Sequence, residues 1–94
     1  MARDICISLG ERIRKLRKQK GWRQIDLAQQ SGIHEVHISD LERGAREAGL
    51  RTILAIAQAL GVSLSDLFRG VDPGLWSRLP DPTATIAHVA SKSG

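Results

Sequence analysis

The 94-residue sequence predicts an all-α fold: a compact bundle of about five helices with a central helix-turn-helix and an irregular C-terminal tail. Three observations predict this class. Apolar residues recur at helical spacing between residues 8 and 69, whereas alternation with a period of two is nearly absent. The chain has no Tyr and one Phe, so the aromatic residues that favour strands are scarce. Glycines divide the helical region into segments of ordinary helix length.

The first helix is predicted to begin at Ser8, because Ser8 and Glu11 have the S-x-x-E spacing of a capping box. Leu9, Ile13 and Leu16 then follow at intervals of four and three residues. This spacing places them on one apolar face, which predicts that the helix packs against a core.

Four further helices are predicted after the first. Three of them run over about 24–31, 35–42 and 50–60, and a short last one follows a cap formed by Ser63 and Asp66 and continues through Phe68. The helix ends are marked by glycine, which adopts a left-handed backbone at little cost. These glycines are Gly21, Gly44, Gly61 and Gly70.

Residues 1–70 are predicted to form the domain, and residues 71–94 are predicted to form a tail of turns and loose chain. The tail holds all three prolines, and its charges cancel. The net charge of +4 therefore belongs to the helical part, where basic residues cluster between residues 12 and 23. Such a cluster is typical of a surface that binds polyanions or of a solvated helix face.

The composition excludes several classes of protein. The chain is too short for a nucleotide-binding unit with a second domain, and its lone Cys6 forms no intramolecular disulfide. No apolar run approaches the roughly 20 residues that span a bilayer, and the first residues do not resemble a signal peptide. His34 and His37 lack further metal ligands nearby, and no nucleophile–base pair is evident. We expect a cytoplasmic protein that is not an enzyme and has no metal, cofactor or membrane segment.

The stretch RQIDLAQQSGIHEVHISDLERG, residues 23–44, has the pattern of a helix-turn-helix. Ala28 is small where a second helix must cross closely, and Gly32 stands where the chain turns. Apolar residues at fixed offsets supply the buried contacts of such a pair. These are Leu27, Ile33, Ile38 and Leu41, with Trp22 shielding the junction before them.

The sequence resembles the Cro and phage-repressor (XRE-type) helix-turn-helix family. The resemblance is carried by LGERIRKLRKQKGW, QIDLAQQSGI, HISDLERG and LRTILAIAQALGVSLSDLF, and it covers residues 9–68. It implies a lambda-repressor-like domain that binds double-stranded DNA at a palindromic operator, as a homodimer, and regulates transcription. The helix over 35–42 would then lie in the major groove.

The resemblance also implies roles for individual residues. Base contacts are expected at Glu35, Val36, Ser39 and Asp40, with His37 also facing outward. Phosphate contacts are expected at Gln24, Arg43 and Arg46, with the basic first helix adding to the electrostatic attraction. The two carboxylates could accept from cytosine N4 or could simply be exposed polar groups that repel phosphates.

Arg17 and Glu42 match a family pair that forms a structural salt bridge. Two departures from the family concern helix starts, since Arg23 and His34 stand where Ser or Thr is usual. Both are expected to be weak N-caps, each costing about 1 kcal/mol of stability.

An apolar group near the end of the domain has two possible roles. It either completes the core or forms a two-fold dimer interface that sets two reading helices one DNA turn apart. Its members are Leu54, Leu64, Leu67, Phe68 and, in the tail, Trp76.

Two alternatives to the regulator remain open at this point. One is the DNA-binding antitoxin of a toxin–antitoxin pair, with the tail docking on a protein partner. The other is a helix-turn-helix that binds only proteins, which the acidic residues of the reading helix motivate.

Overall fold

Five α-helices account for most of the part of the chain that the structure, a computed structural model, describes, residues 4–71. They are α1 (Ile5–Gln19), α2 (Gln24–Ser31), α3 (Glu35–Glu42), α4 (Leu50–Leu60) and α5 (Leu64–Leu67). The all-α prediction is confirmed, and α2, α3 and α4 have the predicted bounds. The predicted tail lies outside the described residues except for Val71, which is buried and extends the packed region by one residue.

The predicted start of the first helix is wrong. Helix α1 begins at Ile5, because the Asp4 side chain caps it by accepting from the Cys6 backbone N–H at 2.8 Å. Ser8 is already inside the helix, since its N–H donates to the Asp4 carbonyl at 3.1 Å. An aspartate immediately before a helical segment is a strong N-cap, and it competes with the Ser8 signal.

All five helices contribute side chains to one core, in which α1 and α2 pack against the buried side of α3. Helix α2 contacts α3 and α4, while α1 crosses α3, and α5 closes against α4. The side chains buried in this core are Ile13, Leu16, Leu27, Ala28, Ile38, Leu41, Ile53, Ile56, Ala57, Leu60 and Leu67. Trp22 and Ile33 pack against its edge, partly buried.

Helix α1 and the end of α3 approach each other closely at Gly10. A Cβ atom at this position would lie 2.3 Å from the Leu41 carbonyl oxygen and 2.6 Å from that of Glu42. Only glycine allows this crossing without a shift of backbone. The sequence analysis did not single out Gly10, because a glycine inside a helical pattern carries no local sign of a helix crossing.

The turn between α2 and α3 depends on Gly32, the C-cap of α2. Gly32 has φ 75°, in the left-handed region, and its N–H donates to the Ala28 carbonyl at 2.9 Å. This closes α2 and redirects the chain into α3 within three residues, which helps to set the angle between the two helices.

Candidate nucleic-acid interface

Helix α3 has one side in the core and one side in solvent. Ile38 and Leu41 are buried, whereas Glu35 and Val36 are exposed at its first turn. Val36 retains 62% of its surface in solvent, which is high for an apolar side chain. His37, Ser39 and Asp40 are half-buried along the same helix. The structure thus brings the predicted base-reading residues together on one helix whose other side is fixed in the core.

A buried ion pair anchors the C-terminal end of α3. Arg17 donates from Nε to Glu42 Oε2 at 2.7 Å and from Nη2 to Glu42 Oε1 at 2.9 Å. Its third nitrogen, Nη1, donates to the Trp22 carbonyl at 2.7 Å. The two side chains are only 9% and 3% exposed, and hydrogen bonding to Glu42 raises the pKa of Arg17. The salt bridge that the resemblance implies is present, and it ties α1 to α3.

Gln24, the first residue of α2, belongs to the same network. Its Nε2 donates to Glu42 Oε1 at 3.1 Å, so the Glu42 carboxylate accepts from both Arg17 and Gln24. The predicted phosphate-binding glutamine is thereby held beside the end of α3. The first turn of α2 adds backbone N–H groups that a helix cannot satisfy internally.

The two unusual N-caps are satisfied in different ways. His34 accepts from the Val36 N–H through Nδ1 at 3.1 Å, so the imidazole replaces the usual hydroxyl. At α2 the cap comes from Asp26, whose Oδ2 accepts from the Arg23 backbone N–H at 2.7 Å. The side chains of Arg23 and Asp26 also pair at 3.3 Å, and this hydrogen bond leads the effects that lower the pKa of Asp26.

Asp26 is a residue that sequence reasoning missed. The available signal was an acidic residue at the third position of a helix, where a carboxylate can reach back to the N-cap N–H. The Arg23 guanidinium of this pair is also attracted, more weakly, by the Glu35 carboxylate at the start of α3.

Arg43, at the C-cap of α3, pairs with Asp40. Its Nη2 donates to Asp40 Oδ1, and its Nε lies 3.4 Å from the Ser39 carbonyl oxygen. Arg46 is exposed three residues further along the chain. One of the two acidic residues expected on the reading side is therefore neutralised by a neighbouring arginine.

The basic residues of α1 point in several directions. Arg12 donates to the Asp66 carbonyl at 2.7 and 3.2 Å and holds the end of α5. Lys15 and Lys18 are exposed, and helical geometry puts Lys15 nearly opposite Arg17, the residue that contacts α3. The expected contribution of α1 to a common basic surface with α3 is thus limited to part of the helix.

Exposed apolar side chains lie on α4 and α5. Leu54 is 44% exposed, Leu64 is 45% exposed and Phe68 is 38% exposed, as a dimer interface would require. Leu50, which the sequence analysis did not include, is 85% exposed one turn before Leu54. Leu67 is fully buried and belongs to the core, so its assignment to a dimer surface is wrong. Trp76 lies outside the described residues.

Two other features are absent from residues 4–71. In this range no three His, Cys, Asp or Glu side chains are grouped so that they could hold a metal ion. None of the helices described there is both long enough and apolar enough to cross a membrane.

A short helix pair joined by a glycine turn, with its second helix half in the core and half in solvent, defines a helix-turn-helix protein. The chain belongs to the Helix-turn-helix family, whose sequence profile matches residues 13–67. It is 38% identical over 66 residues to the HTH-type transcriptional regulator DdrOP3 of Deinococcus deserti, covering 70% of this chain. The match spans about half of that relative, 51% of its length.

Solved structures of controller proteins are also similar. The restriction-modification controller protein C.AhdI from Aeromonas hydrophila matches with a TM-score of 0.66 and 38% identity, over 67% of this chain and 96% of its own. The controller protein C.Esp1396I, solved as a tetramer with its natural 35 base-pair operator, matches with a TM-score of 0.68 and 29% identity. That match covers 73% of this chain and 91% of the controller chain.

Proposed function

We propose that this protein is a transcriptional regulator that binds a palindromic operator in double-stranded DNA as a homodimer, with α3 in the major groove. The observation that carries the proposal is the exposed side of α3, which is presented from a helix fixed in the core by Ile38, Leu41 and the Glu42 ion pair. A reading helix must keep its orientation while its outer side chains meet base edges.

The first turn of α3 supplies groups suited to base edges. The exposed Val36 is an apolar group that can contact a thymine methyl, and the Glu35 carboxylate can accept from cytosine N4. Ser39, one turn further along, can donate or accept. These contacts would carry sequence preference, because each base pair has its own pattern in the major groove.

Phosphate contacts would come from the two elements beside α3. Gln24 is held by Glu42 at the start of α2, where free backbone N–H groups favour an anion. Arg46 is exposed beyond the end of α3 and would add a cation. Contacts of this kind position a protein on the duplex and make its affinity depend on salt.

The dimer would form through the apolar surface of Leu50, Leu54, Leu64 and Phe68. Exposed apolar side chains on neighbouring helices favour a self-complementary contact about a two-fold axis. Such a contact would place two α3 helices about 34 Å apart, one turn of DNA.

The relatives are regulators and controller proteins, so the proposal includes no enzymatic activity and places the protein in the cytoplasm with the DNA. A docking role for the tail, as in an antitoxin, concerns residues outside the described range. The protein-binding alternative drew on the acidity of α3, and the pairing of Asp40 with Arg43 reduces that acidity.

The test is retention of genomic fragments of about 200 base pairs, including the region upstream of the protein's own gene, across a salt series. We expect a few fragments that share an inverted repeat to be retained, with affinity falling steeply as salt rises. Gln24→Ala should weaken binding to all sequences, and Arg46→Ala should also reduce the salt slope by about one. Lys15→Ala, which removes an exposed cation of α1 nearly opposite the residue that contacts α3, is the matched control and should leave the slope unchanged.

Retention of no fragment at low salt would overturn the proposal. A pull-down with the same protein would then test α3 as a protein-docking surface.

A further inference from the structure

Three positions that are at least partly open to solvent follow one another at helical spacing from α3 to its C-cap. Val36, Asp40 and Arg43 are separated by four and three residues, so they form one line on the solvent side of the helix. Their chemistry changes along this line from apolar to acidic to basic. The last two are joined, since Arg43 folds back and donates to Asp40 Oδ1.

The pairing leaves donors and an acceptor side by side. The guanidinium uses Nη2 toward Asp40 and Nε toward the Ser39 carbonyl, so Nη1 and the second Nη2 hydrogen remain to donate. Asp40 accepts through Oδ1, and its Oδ2 remains an acceptor. The side chain of Arg43 is 64% exposed and that of Asp40 is 24% exposed, so a ligand can reach the guanidinium first and the carboxylate beside it.

This arrangement matches the major-groove edge of one particular base pair. Guanine offers two adjacent acceptors, N7 and O6, which suit the fork of an arginine, and the paired cytosine offers an N4 donor beside O6. An adenine–thymine pair has no base with two adjacent acceptors, so the fork would lose one of its bonds there. We propose that Asp40 and Arg43 act as one unit that reads a single guanine–cytosine base pair in each half-site of the operator.

The inference rests on the proposed function and assigns Arg43 to a base, where the resemblance implies a phosphate. Exposed i,i+3 ion pairs contribute little to the stability of a fold. Recognition of a base pair would give the Asp40–Arg43 pair a function that stability does not. Pairing also holds the long arginine side chain in place before DNA arrives, which lowers the entropy cost of a two-bond contact. Without Arg43, the Asp40 carboxylate would face the guanine O6 and the phosphates unneutralised.

The test is selection from randomised duplexes by the full chain and by two single variants, Arg43→Lys and Asp40→Asn. We expect the unaltered protein to prefer guanine–cytosine at one position of each half-site by about tenfold, the discrimination of one good two-bond contact. Arg43→Lys removes the fork but keeps the charge, so the preference should fall at that position alone. Asp40→Asn should change the preference at the same position.

Arg69→Lys is the matched control. Arg69 and Asp66 also form an exposed i,i+3 pair, with side chains 74% and 44% exposed, at the C-terminal end of α5. Its substitution should leave every base preference intact. Circular dichroism confirms that each variant is folded.

If Arg43→Lys lowered the affinity for all DNA sequences equally, Arg43 would contact a phosphate. That result would overturn the inference, while the regulator proposal would stand. Changes at two different positions would show that the residues do not act as a unit, and would also overturn it. Selection of no sequence by the unaltered protein would overturn both proposals.

Discussion

The two ends of α3 are held in place by different means. At the C-terminal end, Leu41 is packed in the core and the Glu42 carboxylate accepts from two other helices at 2.7 to 3.1 Å. At the N-terminal end, Glu35 and Val36 are exposed, and the His34 imidazole caps the first turn through one hydrogen bond. One end is therefore fixed by tertiary contacts and the other by a local contact.

This difference separates the residues that keep the fold from those offered to a ligand. Substitutions at the C-terminal end remove buried contacts, which are costly to lose, whereas substitutions at the N-terminal end change exposed groups. A DNA-binding helix built in this way can alter its base contacts without losing its orientation.

The largest effect is expected for Glu42→Ala. This change leaves the Arg17 guanidinium buried without its carboxylate, and it removes an acceptor from Gln24. We expect a loss of about 3–5 kcal/mol in the free energy of unfolding, measured in urea. Glu35→Ala, at the exposed end of the same helix, should change it by less than about 0.5 kcal/mol. Equal losses from the two variants would contradict the comparison.

Gly10→Ala should have the next largest effect. Alanine normally stabilises a helix interior relative to glycine, but here its Cβ would lie 2.3 Å from the Leu41 carbonyl oxygen. We expect a net destabilisation of about 1–3 kcal/mol from overpacking, seen as a lower thermal midpoint. Arg14→Ala, on an exposed part of α1, serves as the control and should be nearly neutral. A stabilised Gly10→Ala variant would show that α1 can move away from α3 at no cost.

Much of the fold could be predicted from the sequence, because apolar spacing and glycine turns are local signals. The bounds of α2, α3 and α4 follow from them, as does the burial of Ile38 and Leu41. The start of α1 was harder to predict than these bounds. Asp4 and Ser8 are both residues that can cap a helix, and only the folded chain shows that Asp4 is used.

The site was less accessible to sequence reasoning. Which residues lie on the outer side of α3 follows from periodicity, but the pairing of Asp40 with Arg43 depends on side-chain conformation. The burial of Leu67 beside exposed Leu64 and Phe68 depends on how α5 lies against α4. Contacts between distant segments, such as Gly10 against α3, leave no mark in a single sequence.

His34→Ala should weaken only the exposed end of α3. The change removes the Nδ1 acceptor of the Val36 N–H, and we expect a loss of about 1 kcal/mol in unfolding free energy. Hydrogen exchange should speed up at the first turn of α3 more than at Leu41. His34→Ser restores a capping oxygen and should recover the loss, while His37→Ala, inside the same helix, controls for removal of an imidazole. Unchanged exchange at Val36 would mean that the cap does not hold this turn.

The smallest effect is expected at the start of α2, where the cap is charged. Hydrogen bonding to Arg23 lowers the pKa of Asp26 from its usual value, so the folded state favours the carboxylate. A group with a lowered pKa stabilises the fold above its unfolded pKa of about 3.9, and the contribution is lost as the pH falls through the folded pKa. The stability difference between the unaltered protein and Asp26→Asn should thus be constant near neutrality and shrink on acidification below about pH 4. Urea titrations across this range measure it, and added salt should reduce it at neutral pH because the pair is exposed. A difference that grew on acidification would show that Asp26 is held as the neutral acid, and the charged cap at α2 would then be wrong.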